Sequence, residues 1–461
     1  MNSNVKSIKM RTMPIGKLLA AMSLPAIFSM FVQAMYNVVD TMYISRYDIG
    51  QDNMITALGY AFPMQMIMMA LSLGIGIGCN ILISRKLGER KPNEASNIAR
   101  TGIIMAIIAG LMFLAFSFFL PRVFLDLMSN IEIIKTYGVQ YLSIIMMFSV
   151  FIFIEISVTK MLQGMGRMLI PMIAQLIGAI TSIILDPIFI FTLDLGVTGA
   201  AIATIIGQAA AMLFAVGYII LRKVDISFNF KNFKFKGVYV KEITRAGLPA
   251  MVMNSVAAFT NIILNNILKA LNPEEIANAV LTIYFKLQSF VFMPIFGLTQ
   301  GGLPILSYNF GANVKKRFIT CAKILISVSL TLMTIGFLLF QIFPKELLDI
   351  LGPEPQTIAL GIPALRIISF AFFPAAFGVI MISIFQSIDH GSKALIMSLL
   401  RQAAFLVPLA FILGKAMGIE GVWLSFPIAE ALCLILFAVP LIKLIKQSFA
   451  RKDAELLNAV A

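Results

Sequence analysis

Leu71 to Lys91 reads LSLGIGIGCNILISRKLGERK, and Pro294 to Lys316, about 223 residues further on, reads PIFGLTQGGLPILSYNFGANVKK. Each is an apolar, glycine-bearing run that closes on a glycine turn and two basic residues, the form taken by a hydrophobic helix where it meets a polar loop. Three more pairs keep the same register. SLPA from Ser23 answers GLPA from Gly247, the LQG at Leu162 answers the FQS at Phe385, and LGVTGAAIAT from Leu195 answers MGIEGVWLSF from Met417. A chain with such pairs along its whole length is built twice.

What is repeated belongs in a membrane. Of 461 residues 59% are hydrophobic and 13% charged, against roughly 45–50% apolar in ordinary soluble domains. The apolar runs are continuous rather than alternating, so they span as helices and not as barrel strands. They fall near 15–45, 53–83, 95–120, 134–160, 168–192 and 197–221, then near 243–268, 276–308, 318–343, 357–388, 394–414 and 419–442. The expected fold is an all-α integral membrane protein of twelve transmembrane helices in two six-helix pseudo-symmetric lobes around a central cavity. The division reads as a segment 1–14, a lobe 15–222, a linker 223–242, a lobe 243–446 and a tail 447–461. The first apolar run is too long for a cleavable signal, so the first helix is expected to be retained.

Sorting the basic residues by loop fixes an orientation. With the N-terminus inside, about 28 Lys and Arg fall on the inner side and 6 on the outer, the bias that the positive-inside rule predicts. Both termini are therefore expected in the cytoplasm, with the chain multi-pass in the cell (inner) membrane. The same sorting accounts for the net charge of +14 without nucleic acid. Cys79, Cys321 and Cys433 lie far apart in or beside apolar runs, which suits buried thiols rather than disulfides or metal ligands.

Two helices carry a polar stripe. Gln33, Tyr36, Asn37 and Asp40 follow one another at i, i+3, i+4 and i+7, and Gln175, Gly178, Ser182 and Asp186 form a second line at i, i+3, i+7 and i+11 in the fifth helix. Residues so spaced share one helix face. At 1.5 Å per residue both aspartates lie roughly 6–9 Å from the outer ends of their helices, so they share a depth. Holding a carboxylate in a membrane costs about 2.5–3.5 kcal/mol on insertion scales, and two like charges resist sharing a site. Such a pair is suited to hold a proton or a transient cation. Pro25 and Pro187 each leave a carbonyl one turn back without its helical partner, so both helices carry a kink point.

YNVVDTMYIS around Asp40, SIILDPIFIF from Ser182, the turn GVTGAAIAT and the glycine turns after the second and eighth helices resemble the multidrug and toxic compound extrusion (MATE) transporters, over residues 15 to 445. Within that family the chain is similar to bacterial members whose ion-coupling carboxyls lie in the N-terminal lobe. The resemblance implies secondary active efflux of amphipathic or cationic small molecules by alternating access, coupled to protons or else sodium, with no other cofactor. It assigns the coupling to Asp40 and Asp186, which would also be the sodium ligands, with Tyr36, Tyr141 and Thr204 as neighbours and Asn37 beside them. Ser182 stands where many members have Asn, which removes an amide ligand. The glutamate and aspartate of a C-terminal sodium site are missing from the seventh and tenth helices. Gln33, Gln65, Met69, Gln175 and Gln288 are expected along the substrate cavity. Partners are expected to be these small molecules and membrane lipid, with the chain a monomer.

Three readings concern charged or titratable residues apart from this site. Glu430 is expected to pair with Lys286 or Arg366, Glu155 to reach the headgroups near Lys160, and His390 to be a solvated loop residue. A lipid-linked-precursor flippase of the same broad superfamily is the rival reading, although such proteins line the cavity with basic groups. No HExxH, no GxSxG and no acidic cluster for a metal–pyrophosphate occurs, which argues against a membrane enzyme. A channel is disfavoured by the lack of a selectivity-filter-like loop.

Overall fold

The computed structural model describes residues 10–47, 53–129, 131–222, 224–231, 233, 235–271, 276–349 and 355–460. Among them the regular structure is helical. Four spans of the first half are α1 (Ile15–Tyr47), α2 (Asn53–Gly88), α3 (Pro92–Phe116) and the bent α4 (Glu132–Met147 with Ser149–Gly164). They are followed by α5 (Leu169–Pro187, continued by a π-helical turn Ile188–Thr192) and α6 (Gly196–Leu221). The second half gives α7 (Gly237–Leu271), α8 (Ile276–Gly311), α9 (Lys315–Ile342) and the bent α10 (Pro355–Ser369 with Phe372–Ser387). The last two are α11 (Gly391–Leu399, a π-helical stretch Leu400–Phe405, then Leu406–Met417) and α12 (Ile419–Val460).

Among the described residues nine helices are long and apolar enough to cross a membrane unaided, and α4 and α10 each cross as a pair bent by 53° and 51°. The twelfth, α7, carries Asn261, Asn265 and Asn266, which lower its hydropathy. One of these asparagines ties α7 to α8, where Asn278 Nδ2 donates to Asn265 Oδ1 at 2.9 Å, and within α7 Asn265 Nδ2 donates to Asn261 Oδ1 at 2.6 Å.

The internal repeat is visible in the backbone. Of the seven left-handed residues among those described, six come in pairs about 223 apart, Arg90 (φ 59°) with Asn313 (56°), Gly166 (75°) with Asp389 (69°), and Gly196 (50°) with Gly418 (69°), and only Asp194 (52°) has no counterpart. The short helices Leu120–Met128 and Pro344–Asp349 and the two bent spans occupy matching places as well. A left-handed residue is costly for most side chains, so its recurrence in the same turns marks one loop design used twice.

By internal contacts the chain separates into two units, Met1–Met13 with Leu24–Met251, and Pro14–Ser23 with Val252–Ala461. The dividing points fall inside α1 and α7, beside Pro25 and Pro249. In the first unit the start of α7 crosses α2 so closely that a Cβ on Gly247 would meet the Gly74 carbonyl. In the second the start of α1 crosses α8, where Ser23 Oγ donates to Leu298 O at 3.3 Å and a Cβ on Gly301 would meet Ser23. Small residues let helices approach where no hydrophobic drive separates protein from lipid. On α6, accordingly, Ala200, Ala203, Thr204 and Gly207 are buried, while Leu213 is 65% exposed.

Candidate functional site

Both aspartates lie in the first unit, on α1 and α5. Asp186 is fully buried at the end of α5, where Pro187 cannot continue the helical ladder and the chain opens into the π turn, closed by Leu193 N donating to Ile188 O at 2.9 Å. Such turns cluster at functional sites because they re-aim side chains. Asp40 is half-buried on α1. Both carboxyl oxygens of Asp186 and Oδ1 of Asp40 are buried without a hydrogen-bond partner among the described residues. Asp40 lies close enough to bear electrostatically on Asp186, and both bear on the Tyr36 and Tyr141 hydroxyls. No Lys or Arg among the described residues contributes to the field at either carboxyl.

The surrounding hydroxyls are held in place by neighbours. Tyr36 OH lies 3.0 Å from Thr204 Oγ1 on α6, and Gln65 Nε2 on α2 donates to Tyr141 OH on α4 at 3.1 Å. One level inward, Gln175 Nε2 donates to Gln33 Oε1 at 3.2 Å, joining the two polar stripes. The structure thus brings together Gln33, Tyr36, Asp40, Gln65, Tyr141, Gln175, Asp186 and Thr204. Ser182 stands apart from them: its Oγ donates across to the Ala203 carbonyl at 3.3 Å, against Gly207, so it serves the α5–α6 contact. Met69 is half-buried on α2, Gln288 is half-buried on α8 in the second unit, and the side chain of Asn37 lies outside the described residues. Pro25 and Pro187 occupy the interior of α1 and the end of α5.

The residues apart from this site are placed as follows in the fold. Lys286 and Arg366 are exposed, and Glu430 pairs instead with Arg401, Nε to Oε1 at 3.3 Å. Sorting cations by loop places Arg401 on the inner side, yet it sits ten residues into α11, roughly 15 Å along the helix, on the π-helical stretch. That depth was the signal that the charge sorting passed over. Lys160 was sorted the same way, but it is 8% exposed and donates to Gln163 Oε1 at 3.3 Å, with half-buried Glu155 in electrostatic reach. His390 is half-buried, with Nε2 3.2 Å from Ser448 Oγ. The three cysteines are buried and free, as read from the sequence.

Two blocks of the chain, residues 25–188 and 248–412, match the family model named MatE. The chain belongs to this family, the MATE transporters. One matched block falls in each half of the repeat. Among curated proteins it is similar to the multidrug export protein MepA of Staphylococcus haemolyticus, 26% identical over 423 residues that cover 92% of each chain. MepA of Staphylococcus aureus strain MSSA476 is also 26% identical, over 446 residues covering 96% of this chain and 97% of its own. Among solved structures, a MOP superfamily transporter from Pyrococcus furiosus superposes with a TM-score of 0.90 at 23% identity, covering 96% of this chain and 99% of that one. An outward-facing multidrug resistance MATE family transporter matches with the same figures. These likenesses establish the twelve-helix fold of a multi-pass membrane transporter.

Proposed function

We propose that the chain exports amphipathic organic cations from the cell across the cytoplasmic membrane by antiport, with Asp40 and Asp186 as the coupling pair and the proton as the coupling ion. The observation that carries this reading is the trio of bare carboxyl oxygens, two on Asp186 and one on Asp40, buried with no basic residue among those described to neutralise them. A buried carboxyl without a permanent partner costs several kcal/mol unless it takes a proton or a cation. Relatives named for multidrug export support efflux of small molecules as the task that this exchange drives.

In the proposed cycle the pair loads from the outside, where the proton enters an all-oxygen cluster made by Asp40, Asp186, Tyr36, Tyr141 and Thr204. Tyr36–Thr204 and Gln65–Tyr141 hold four helices around the carboxyls, so a change of charge there bears on α1, α2, α4 and α6 together. Pro25 in α1 and the π turn after Pro187 are the places where the backbone has hydrogen bonds to spare, and bending there would couple the charge to a change of access. Sodium is the alternative ion at the same oxygens.

The test is efflux of a fluorescent organic cation from proteoliposomes under separately imposed pH and sodium gradients. Export should follow the pH gradient and fall to the passive leak in Asp40→Asn and Asp186→Asn. Undiminished coupled export in both variants would overturn the site, and export that follows only sodium would change the ion.

A further inference from the structure

The stretch between α6 and α7 combines three properties that neither a topology signal nor a spacer requires. From Arg222 to Arg245 it carries seven Lys and Arg against two acids, and its basic residues are interleaved with Phe228, Phe230, Phe233, Phe235 and Tyr239. One of the two acids, Asp225, is engaged by Arg167 at 3.5 Å. Lys231, Lys236 and Lys241 are exposed and form no ion pair among the described residues.

The stretch is fastened by its first part. Ile226 is buried, Ser227 N donates to Ser96 Oγ at 2.9 Å, and Arg100 Nε donates to Ser227 O at 3.1 Å. Arg100 also lies 5.8 Å from the centre of the Phe233 ring, and Phe230 and Phe233 meet edge to face at 5.8 Å. The fastening leaves Phe230 and Phe235 about half exposed. On either side Ile220, Leu221 and Val238 are exposed too, and these belong to the ends of α6 and α7, which marks the level at which helix leaves hydrocarbon. Exposed rings and unpaired lysines at that level meet the two chemistries of a lipid surface, acyl chain and phosphate.

We propose that Phe230, Lys231, Phe235, Lys236 and Lys241 form a docking strip for the headgroups of anionic phospholipids in the cytoplasmic leaflet. The rings enter the interface and the ammonium groups meet headgroup phosphates, so the linker lies on the membrane instead of looping into water. Zwitterionic lipid alone gives the rings a place but leaves the lysines unneutralised.

The full chain carries its own background for a test, since Cys79, Cys321 and Cys433 are buried. An environment-sensitive fluorophore on Phe235→Cys is read in phosphatidylcholine vesicles with and without phosphatidylglycerol, with spin-labelled lipid as quencher and Lys345→Cys as the control position. Phosphatidylglycerol should blue-shift the probe and raise its quenching, reversibly with salt, while the control stays unchanged. A basic residue at an anionic surface is worth about fivefold in affinity, so Lys231→Gln, Lys236→Gln and Lys241→Gln together should remove the difference. No dependence on phosphatidylglycerol, or a dependence that survives the triple substitution, overturns the proposal. So does release of the probe by free inorganic phosphate at constant ionic strength, which would assign the lysines to a soluble anion.

Discussion

Glu430 and Arg401 show what a single buried charge costs when its partner is taken away. Their side chains are 18% and 10% exposed, and Glu430 Oε2 and Arg401 Nη1 have no hydrogen-bond partner. Breaking such a pair from one side leaves an uncompensated charge, at a cost of about 3–5 kcal/mol, whereas an apolar pair of similar volume can be neutral. Glu430→Ala should therefore lower the thermal midpoint of the purified protein well below that of the double variant Arg401→Met, Glu430→Leu. Equal losses in the two would show that the pair contributes as a unit. At this scale the sequence revealed Asp40 and Asp186 because each ends a polar stripe at helical spacing. It concealed Arg401, because a cation near the start of an apolar run looks like a loop residue until the helix start at Gly391 is known. The role of Ser182 was hidden for another reason: which carbonyl a hydroxyl finds depends on how near the next helix comes.

That nearness is a property of whole helices. A Cβ on Gly207 would meet Ser182 Oγ and would lie 2.7 Å from the Gly178 carbonyl, so α5 and α6 cross glycine on glycine just inward of the carboxyls. Overpacking a close contact costs about 1–3 kcal/mol, and Gly207→Leu should push α5 from α6 and loosen the Tyr36–Thr204 contact. Efflux under an imposed pH gradient should then fall further than expression or melting temperature, measured in the same vesicles. Gly247→Leu, aimed at the Gly74 carbonyl, is expected instead to reduce the yield of folded protein, because both of its close neighbours are backbone. The twelve spans were legible from apolar runs and loop charges. The bend in α4 was not. It falls at Phe148, with neither proline nor glycine at the break, and is held by Ser149 Oγ donating to the Gly110 carbonyl on α3 at 2.9 Å. A contact to an acceptor on another helix leaves no mark in the local sequence. The apolar run also hid how far α12 continues, since its last turns beyond Lys446 are polar enough to read as a tail.

Those last turns close one end of the second unit. Phe449 is 2% exposed between Phe310 and Phe318, at 5.4 and 5.3 Å between ring centres, and Lys452 Nζ donates to the carbonyls of Phe310 and Gly311 at 3.1 and 3.0 Å. The lysine thereby satisfies the carbonyls that α8 leaves open at its C-terminus. Burying a Phe in such a site is worth about 3–5 kcal/mol against Ala. Phe449→Ala should therefore destabilise the detergent-solubilised protein by several degrees in a thermal unfolding scan, while Lys452→Ala should cost less because it removes hydrogen bonds from a half-buried position. Stability unchanged by Phe449→Ala would mean that the end of α12 is detached in solution.

The two halves do not end where the two units end. Residues 14–23 belong by contact to the second unit, and residues 237–251, at the start of α7, belong to the first. Each half thus lends its opening helix turns to the other. Cut anywhere in the linker before Gly237, the chain would give two fragments, each missing a strip of its own wall and each carrying the strip its counterpart lacks. Expressed together, such fragments should reassemble, and either one alone should be degraded.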